Sequence, residues 1–156
     1  MEQGATDQIE QSLRDLSIIF NCTQDALALI RVDGEKFYYI RNNLSHQRLT
    51  GYDGDALVGK TPTEIFGPIA GQTLEKHCRK CLQTKTPLTY EGTASFLAGE
   101  KTCLVSISPV MEAGKVLYLV VSRTDISKLK EAEAKISGLL AQFEALFCGD
   151  RAAMLL

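Results

Sequence analysis

Several features are missing from this 156-residue sequence, and each absence excludes a class of protein. No apolar run approaches the ~20 residues that a membrane-spanning helix needs. The polar start, MEQGATDQIEQSL, has neither the basic region nor the apolar core of a signal peptide. The net charge of −2 lacks the basic excess that is typical of nucleic-acid-binding domains. We therefore expect a cytoplasmic chain with no membrane span and no nucleic-acid partner.

Signatures of catalysis and of metal binding are missing as well. The sequence shows no Ser/His/Asp set, no paired carboxylates in a predicted cleft and no phosphate-cradling loop. The five cysteines include one close pair, Cys78 and Cys81, but no second pair stands at zinc or iron–sulfur spacing. We expect reduced structural thiols, with a redox pair as the alternative. The chain is predicted not to be an enzyme and to hold no metal.

What remains is the composition of a globular domain, with 45% hydrophobic and 23% charged residues. Residues 26–32 and 36–41 alternate like strands around the turn signal Asp33-Gly34-Glu35, which predicts a hairpin. Three further strands are predicted at residues 88–96, 101–111 and 116–124. Because the strands do not alternate with helices, we predict an α+β fold. Its five-stranded antiparallel sheet should carry short helices on one face.

Helical patterns account for most of the remaining chain. Residues 7–20 and 126–147 each place apolar side chains at steps of three and four, which predicts two amphipathic terminal helices. Short helices are predicted around residues 44–49 and 53–59. A further helix should begin after Thr61, with Pro62 at its first position and Glu64 completing a capping box. The segment 69–85 predicts a longer helix that stops before Pro87.

The junction at residues 119–131, LVVSRTDISKLKE, joins a strand to a charged helix without an intervening loop. Ser127 carries a hydroxyl that can cap the helix, and Asp125 places a carboxylate near its N-terminus. A strand that runs directly into an outgoing helix suits a module that passes a signal onward. We therefore assign signal transmission to Arg123, Asp125, Ile126 and Ser127. Arg123 is expected either to pair with Asp125 or an acidic ligand, or to be exposed on an edge strand.

Six short motifs occur in an order and spacing that resemble the PAS sensory-box family over about residues 16–128. They are Phe20–Ala26, Val32–Gly34, Asn43 with Leu49–Tyr52, Leu57–Lys60, Ser108–Val110 and Arg123–Ser127. In the last motif Ser127 replaces the usual Thr. The resemblance implies an N-terminal helix or linker (1–15), a sensor domain (16–125) and a signalling helix (126–146).

The resemblance also implies a binding pocket between the sheet and the helices, lined by inward strand faces and by segment 61–82. Candidate pocket residues are Tyr39, Asn43, Leu74, His77, Tyr90 and Ser106. Each has a structural alternative; Asn43, for example, suits a helix cap. His77 could ligate haem, as in haem-binding members, but a helix His is more often a packing residue. The Asn-Cys-Arg-Phe-Leu-Gln run of photosensing members is missing, so no cofactor is assigned.

Residues 147–156 are similar to the opening of the first motif and are expected to begin a second, truncated PAS domain. The parent protein would be a bacterial-type signal-transduction protein with a diguanylate cyclase or histidine kinase output. Within it, this chain is expected to sense a small-molecule ligand or a partner and to form a homodimer through its terminal helices. The alternatives are a ligand-free dimerisation module and a haem- or thiol-based redox sensor.

Overall fold

The computed structural model describes residues 2–154, with side chains described through residue 148. It divides into two compact units, of which the first ends at Asp125 and the second begins at Ile126. The first unit contains α1 (Glu2–Cys22), β1 (Ala26–Asp33), β2 (Lys36–Asn42), α2 (Leu44–Thr50), α3 (Gly54–Leu57), α4 (Pro62–Thr84), β3 (Leu88–Phe96), β4 (Gly99–Glu112) and β5 (Lys115–Asp125). The second unit is the helix α5 (Ser127–Met154).

The five strands form one sheet in the order β2-β1-β5-β4-β3, and every neighbouring pair is antiparallel. Tight turns close the hairpins β1–β2, β3–β4 and β4–β5. The predicted α+β fold is therefore confirmed. Because the first and last strands of the chain pair with each other, β5 lies in the middle of the sheet.

The core lies between one face of the sheet and the helices α3 and α4. Alternate residues of the strands, such as Val105 and Val121, pack there with Leu57 and Leu74. The opposite sheet face is more open, and its Leu104 is exposed. The expected coverage of one face by helices is therefore observed.

Helix α4 combines two predicted helices across a kink at Gly67, whose φ of 85° is unfavourable for residues with a side chain. Thr61 caps the first segment by accepting a hydrogen bond from the Glu64 amide at 3.3 Å. The Glu75 carboxylate holds the two segments together because it accepts from the Thr63 hydroxyl at 2.7 Å. This kink lets α4 cover a wide part of the sheet.

The buried side-chain amide of Asn43 joins α1, β1 and α2. Its oxygen accepts from the backbone amides of Leu27 and His46, both at 2.9 Å. Its nitrogen lies 2.9 Å from the carbonyl oxygens of Phe20 and Asp25 and 3.0 Å from the Thr23 hydroxyl. The expected helix cap is present, and the same side chain also fixes the connection from α1 to β1.

The terminal helices extend beyond their predicted limits. Helix α1 has no buried residue, although Arg41 lies over the Phe20 ring near its C-terminal end. Helix α5 continues past residue 147 to Met154, so no break marks the expected start of another domain. The last two residues of that expected segment lie outside the described residues. Within residues 2–154, no helix has the length and apolarity to span a membrane.

Replacing Asn43 with Ala should lower the free energy of unfolding by about 3 kcal/mol, because buried backbone groups on three elements would lose their partners. The matched control is Asp53→Ala, since Asp53 is the N-cap of α3 but makes no side-chain capping bond. That control should cost about 0.5 kcal/mol or less. Urea unfolding followed by circular dichroism measures both, and equal losses would contradict the role assigned to Asn43.

Candidate functional site

The structure distributes the predicted pocket residues over four environments, one of which is the contact between His77 and Tyr90. Tyr39 and Leu74 are buried in the core, and Asn43 is buried in its hydrogen-bond network. Ser106 lies on the opposite sheet face, where its hydroxyl is 3.3 Å from that of Thr89. These residues therefore do not surround a single space.

His77 and Tyr90 form a direct contact between α4 and β3. Their rings stack with centroids 3.7 Å apart and planes inclined by 8°. The His77 Nδ1 lies 2.7 Å from the carbonyl oxygen of Thr73, so this nitrogen carries the proton and donates. The contact fixes the orientation of Tyr90, which lines a cavity between α4 and β3.

Arg123 occupies an inward position in the middle of the sheet. Tyr90, Val105 and Arg123 are cross-strand partners on β3, β4 and β5, so their side chains form a row on the core face. Arg123 is only 6% exposed, and its guanidinium carbon lies 5.1 Å from the ring centre of Phe66 and 5.6 Å from that of Phe96. The expected alternative of an exposed arginine on an edge strand is wrong, because β5 is central and this position faces inward.

The expected pair between Arg123 and Asp125 is also absent from the described residues. Asp125 instead lies 3.8 Å from the ammonium nitrogen of Lys101. No other carboxylate among the described side chains forms a salt bridge with Arg123. The guanidinium charge is consequently stabilised by two aromatic faces rather than by an anion.

Three buried polar atoms near this charge have no hydrogen-bond partner: Tyr39 Oη, His46 Nε2 and Arg123 Nε. Burial raises the pKa of Tyr39 even though the Arg123 charge opposes the shift, and the geometry between the two falls short of a hydrogen bond. Burial, assisted by Arg123, lowers the pKa of His46 to about 3. His46 is therefore neutral at ordinary pH, with Asn42 donating to its Nδ1 at 3.0 Å.

A cavity of about 170 Å³ lies between α4 and β3, beside the row that contains Arg123. It is lined by Ile69, Ala70, Thr73, Tyr90, Gly92, Thr93, Ala94, Val105 and Arg123. The polar side chains of its wall are those of Thr73, Tyr90 and Arg123, since the Thr93 hydroxyl lies on the opposite sheet face, 3.0 Å from that of Thr102. Ile69 is 83% exposed and marks the side that opens to the surface. A wider groove of about 930 Å³ runs between β2 and α4, and its lining includes the charged residues Glu64, Glu75, Lys76 and Arg79.

The cysteines of the core lie in surroundings that disfavour thiolates. Burial raises the pKa of Cys78 to about 12, and it also raises the pKa of Cys81 and of Cys103. All are free thiols, and Cys81 donates weakly to the Thr86 carbonyl at 3.4 Å. Among the described residues, no group of three or more His, Cys, Asp or Glu side chains is placed to hold a metal ion.

Sequence reasoning missed the burial of Arg123 and of His46. A signal for Arg123 was available, since Leu119, Val121 and Arg123 share one parity on a strand and the first two are apolar. His46 carried no such signal, because α2 is too short to show a reliable period. Of the cavity wall, Ile69, Ala70 and Thr73 belong to the segment 61–82, from which a lining was expected.

The fold has close counterparts among solved structures. An RNA-binding light-oxygen-voltage receptor matches with a TM-score of 0.69 at 16% identity over 83% of this chain, which spans 37% of that receptor. A PAS domain from Colwellia psychrerythraea matches with a TM-score of 0.63 at 17% identity, covering 74% of this chain and 98% of that one. The PAS domain of an HTR-like protein from Haloarcula marismortui gives 0.64 at 15% identity, covering 80% and 99%. At these identities the likeness concerns the fold.

The antiparallel sheet with its helices on one face places this protein among α+β domains of the kind that these neighbours share. The family described as the PAS fold matches residues 20–131, which is well over half of the chain. The chain belongs to the PAS family. This family is sensory rather than catalytic. No curated protein matches the chain.

Acidification should destabilise the fold through His46. Because burial lowers the pKa of His46 from 6.5 to about 3, the unfolded chain binds a proton in this range that the folded chain does not. The contribution of His46 to the free energy of unfolding is complete above pH 6.5 and is lost as the pH falls toward 3. In this range the free energy of unfolding should fall by up to about 1.4 kcal/mol for each pH unit of acidification.

Urea unfolding between pH 7 and pH 4 measures how steeply the free energy of unfolding depends on pH. His46→Gln should lower this slope by the amount that corresponds to one proton. Gln72→Ala is the control and should keep the wild-type slope, because it changes an exposed side chain that does not titrate. Identical slopes in the wild type and in His46→Gln would show that His46 is not the group responsible.

Proposed function

We propose that this chain is the sensory input module of a larger signal-transduction protein. In this proposal, the state of the interior around Arg123 is passed along β5 into α5. A change of this kind requires a ligand or partner whose affinity differs between two states of the domain. The role of Arg123, Asp125, Ile126 and Ser127 in transmission belongs to this proposal.

The observation that carries the proposal is the position of Arg123 on the chain. It is buried beside the unpartnered Tyr39 hydroxyl, and it lies two residues before the end of β5. One residue, Ile126, separates that strand from α5. A displacement of Arg123 therefore reaches the helix through a few covalently linked, extended residues.

Dimerisation through the terminal helices is the second part of the proposal. Helix α5 exposes apolar side chains at alternating steps of three and four, which is the pattern of a two-stranded coiled coil. They are Leu129, Ala132, Ile136, Leu139, Phe143 and Leu146. Helix α1 exposes a similar set, including Ile9, Leu13 and Leu16. Exposed apolar side chains in such a continuous stripe are typical of protein interfaces.

The second candidate function is a dimerisation module with no ligand. The same apolar stripes favour it, because pairing of helices needs no occupied interior. The two candidates differ in one property, namely whether occupancy of the interior changes the output. A redox sensor at Cys78 and Cys81 receives less support, because their raised pKa values disfavour the reactive thiolate.

Inserting two glycines after Lys128 should uncouple sensing from output in the parent protein. The insertion interrupts the first turn of α5, so a displacement of β5 is no longer passed on in register. The readout is cyclic di-GMP synthesis or histidine autophosphorylation, according to the output domain that we propose. The control places the same two residues in the Ala113-Gly114 turn, which is away from α5 in sequence. Regulation that survives the first insertion would refute transmission through this helix.

The double substitution Leu139→Glu/Phe143→Glu should convert a dimer to a monomer, because four like charges would face each other across the pair. Sedimentation velocity and native mass spectrometry measure the change. Ser137→Glu is the control, since it adds a charge outside the apolar stripe and should leave the dimer intact. A double variant that stays dimeric would exclude α5 as the interface.

Three finer expectations complete the proposal. The output domain is a diguanylate cyclase or a histidine kinase, residues 147–156 begin a second PAS domain, and the chain works in the cytoplasm. The similarity of residues 147–156 to the first motif supports the second of these. Photochemistry is not part of the proposal, because the sequence lacks the reactive-cysteine run of photosensing members.

A further inference from the structure

We propose that the cavity between α4 and β3 binds a small monocarboxylate with an apolar or aromatic body, and that Arg123 is the anchor for its carboxylate. The proposal deepens the sensory function above by giving the chemical class of the ligand. It rests on the proposed function for the effect of binding on the output; binding itself depends only on the cavity.

The charge of Arg123 is the first reason. A buried guanidinium without an anion is costly, and such groups are normally paired or hydrogen-bonded. Arg123 is 6% exposed, and its Nε has no partner. The rings of Phe66 and Phe96 lie against the guanidinium and reduce this cost without supplying an acceptor. The planar guanidinium of Arg123, with donors that lack an acceptor, matches the geometry of a carboxylate.

The surroundings of the cavity supply further donors. Burial raises the pKa of Tyr90 to about 12, so its hydroxyl remains a neutral donor at ordinary pH. The stacked His77 ring holds Tyr90 in place. Tyr90 and Arg123 stand on either side of Val105 in the cross-strand row and both line the cavity. An anion bound between them would meet a hydroxyl and a guanidinium.

The volume and the apolar lining of the cavity indicate what the ligand carries besides its carboxylate. Its volume of about 170 Å³ is close to that of an engineered cavity of ~150 Å³ that takes benzene. It is far below the ~300–1,000 Å³ of typical cofactor and drug-sized sites. Ile69, Ala70, Ala94 and Val105 offer apolar surface to the body of the ligand. Benzoate combines the required charge with the required size.

Gly92 keeps the cavity open on the side of β3. A Cβ atom at this position would lie 3.2 Å from Cε2 of Tyr90, which would press on the ring that lines the site. The absence of a side chain here therefore preserves the space beside the Tyr90 ring. Ala70 has the same effect on the side of α4, because a longer side chain would enter the cavity.

The test uses the full chain, with benzoate and benzamide as a pair of equal shape that differ in charge. Titrations followed by ¹⁵N chemical shifts should show saturable changes at Tyr90, Thr93 and Arg123 with benzoate. Benzamide should bind at least about tenfold more weakly, which is the loss expected for a charge-assisted hydrogen bond. Equal affinity for both, or no saturable binding of benzoate, would overturn the proposal.

Two variants test the charge of Arg123 and the volume of the cavity separately. Arg123→Met should bind benzoate and benzamide equally, because a buried arginine replaced by an apolar residue of similar size loses only the anchor. Ala70→Leu should weaken both ligands by at least about tenfold while keeping the arginine. Arg31→Met, which removes an exposed arginine, is the control and should bind like the wild type. Unchanged benzoate selectivity in Arg123→Met would refute the anchor.

The outcome stays decisive if Arg123→Met does not fold, since the ligand pair and Ala70→Leu test the site in chains that retain Arg123. Binding and transmission also remain distinguishable. The two-glycine insertion after Lys128 should leave the affinity for benzoate unchanged. Benzoate that binds without altering the output would refute transmission alone, whereas regulated output without benzoate binding would refute this ligand class alone.

Discussion

The positive charge of Arg123, buried without an anionic partner, is the constraint around which this domain is arranged. Phe66 and Phe96 present their faces to it, and the same charge acts on the neighbouring Tyr39 and His46. A charge in such a place is stabilised only if its neighbours stay in position or if an anion arrives. The interior is therefore a structural core that holds an uncompensated positive charge, which is the basis of the proposed anion site.

The position of this charge in the sheet connects the site with the rest of the chain. Strand β5 pairs with β1 on one side and with β4 on the other, so Arg123 is held by the two strands that border it. The same strand ends at Asp125, and α5 begins at Ser127. In the proposed sensory role, a ligand that moved Arg123 would act on the strand that leads directly into α5.

Much of the fold was predictable because its determinants are local. Alternation and turn chemistry located all five strands, and Thr61 and Asn43 marked helix starts through their capping side chains. Gly67 was less informative, since a glycine before a proline suggested a helix end rather than a kink within α4. The candidate site was harder to predict. Tyr90 was among its expected residues. Arg123 was expected either to pair with Asp125 or an acidic ligand or to be exposed, and the cavity residues Ala70 and Gly92 carry no chemical signal.

The sequence by itself determined the order and type of the elements, the hairpins and the helix caps, because these depend on residues a few positions apart. Only the tertiary structure decided which side chains meet inside. The placement of β5 at the centre of the sheet requires pairing with β1, about ninety residues away, and the stacking of His77 on Tyr90 requires α4 to lie across β3. The alternation along β5 puts Arg123 on the same face as Leu119 and Val121, but the burial of that face depends on such long-range pairing.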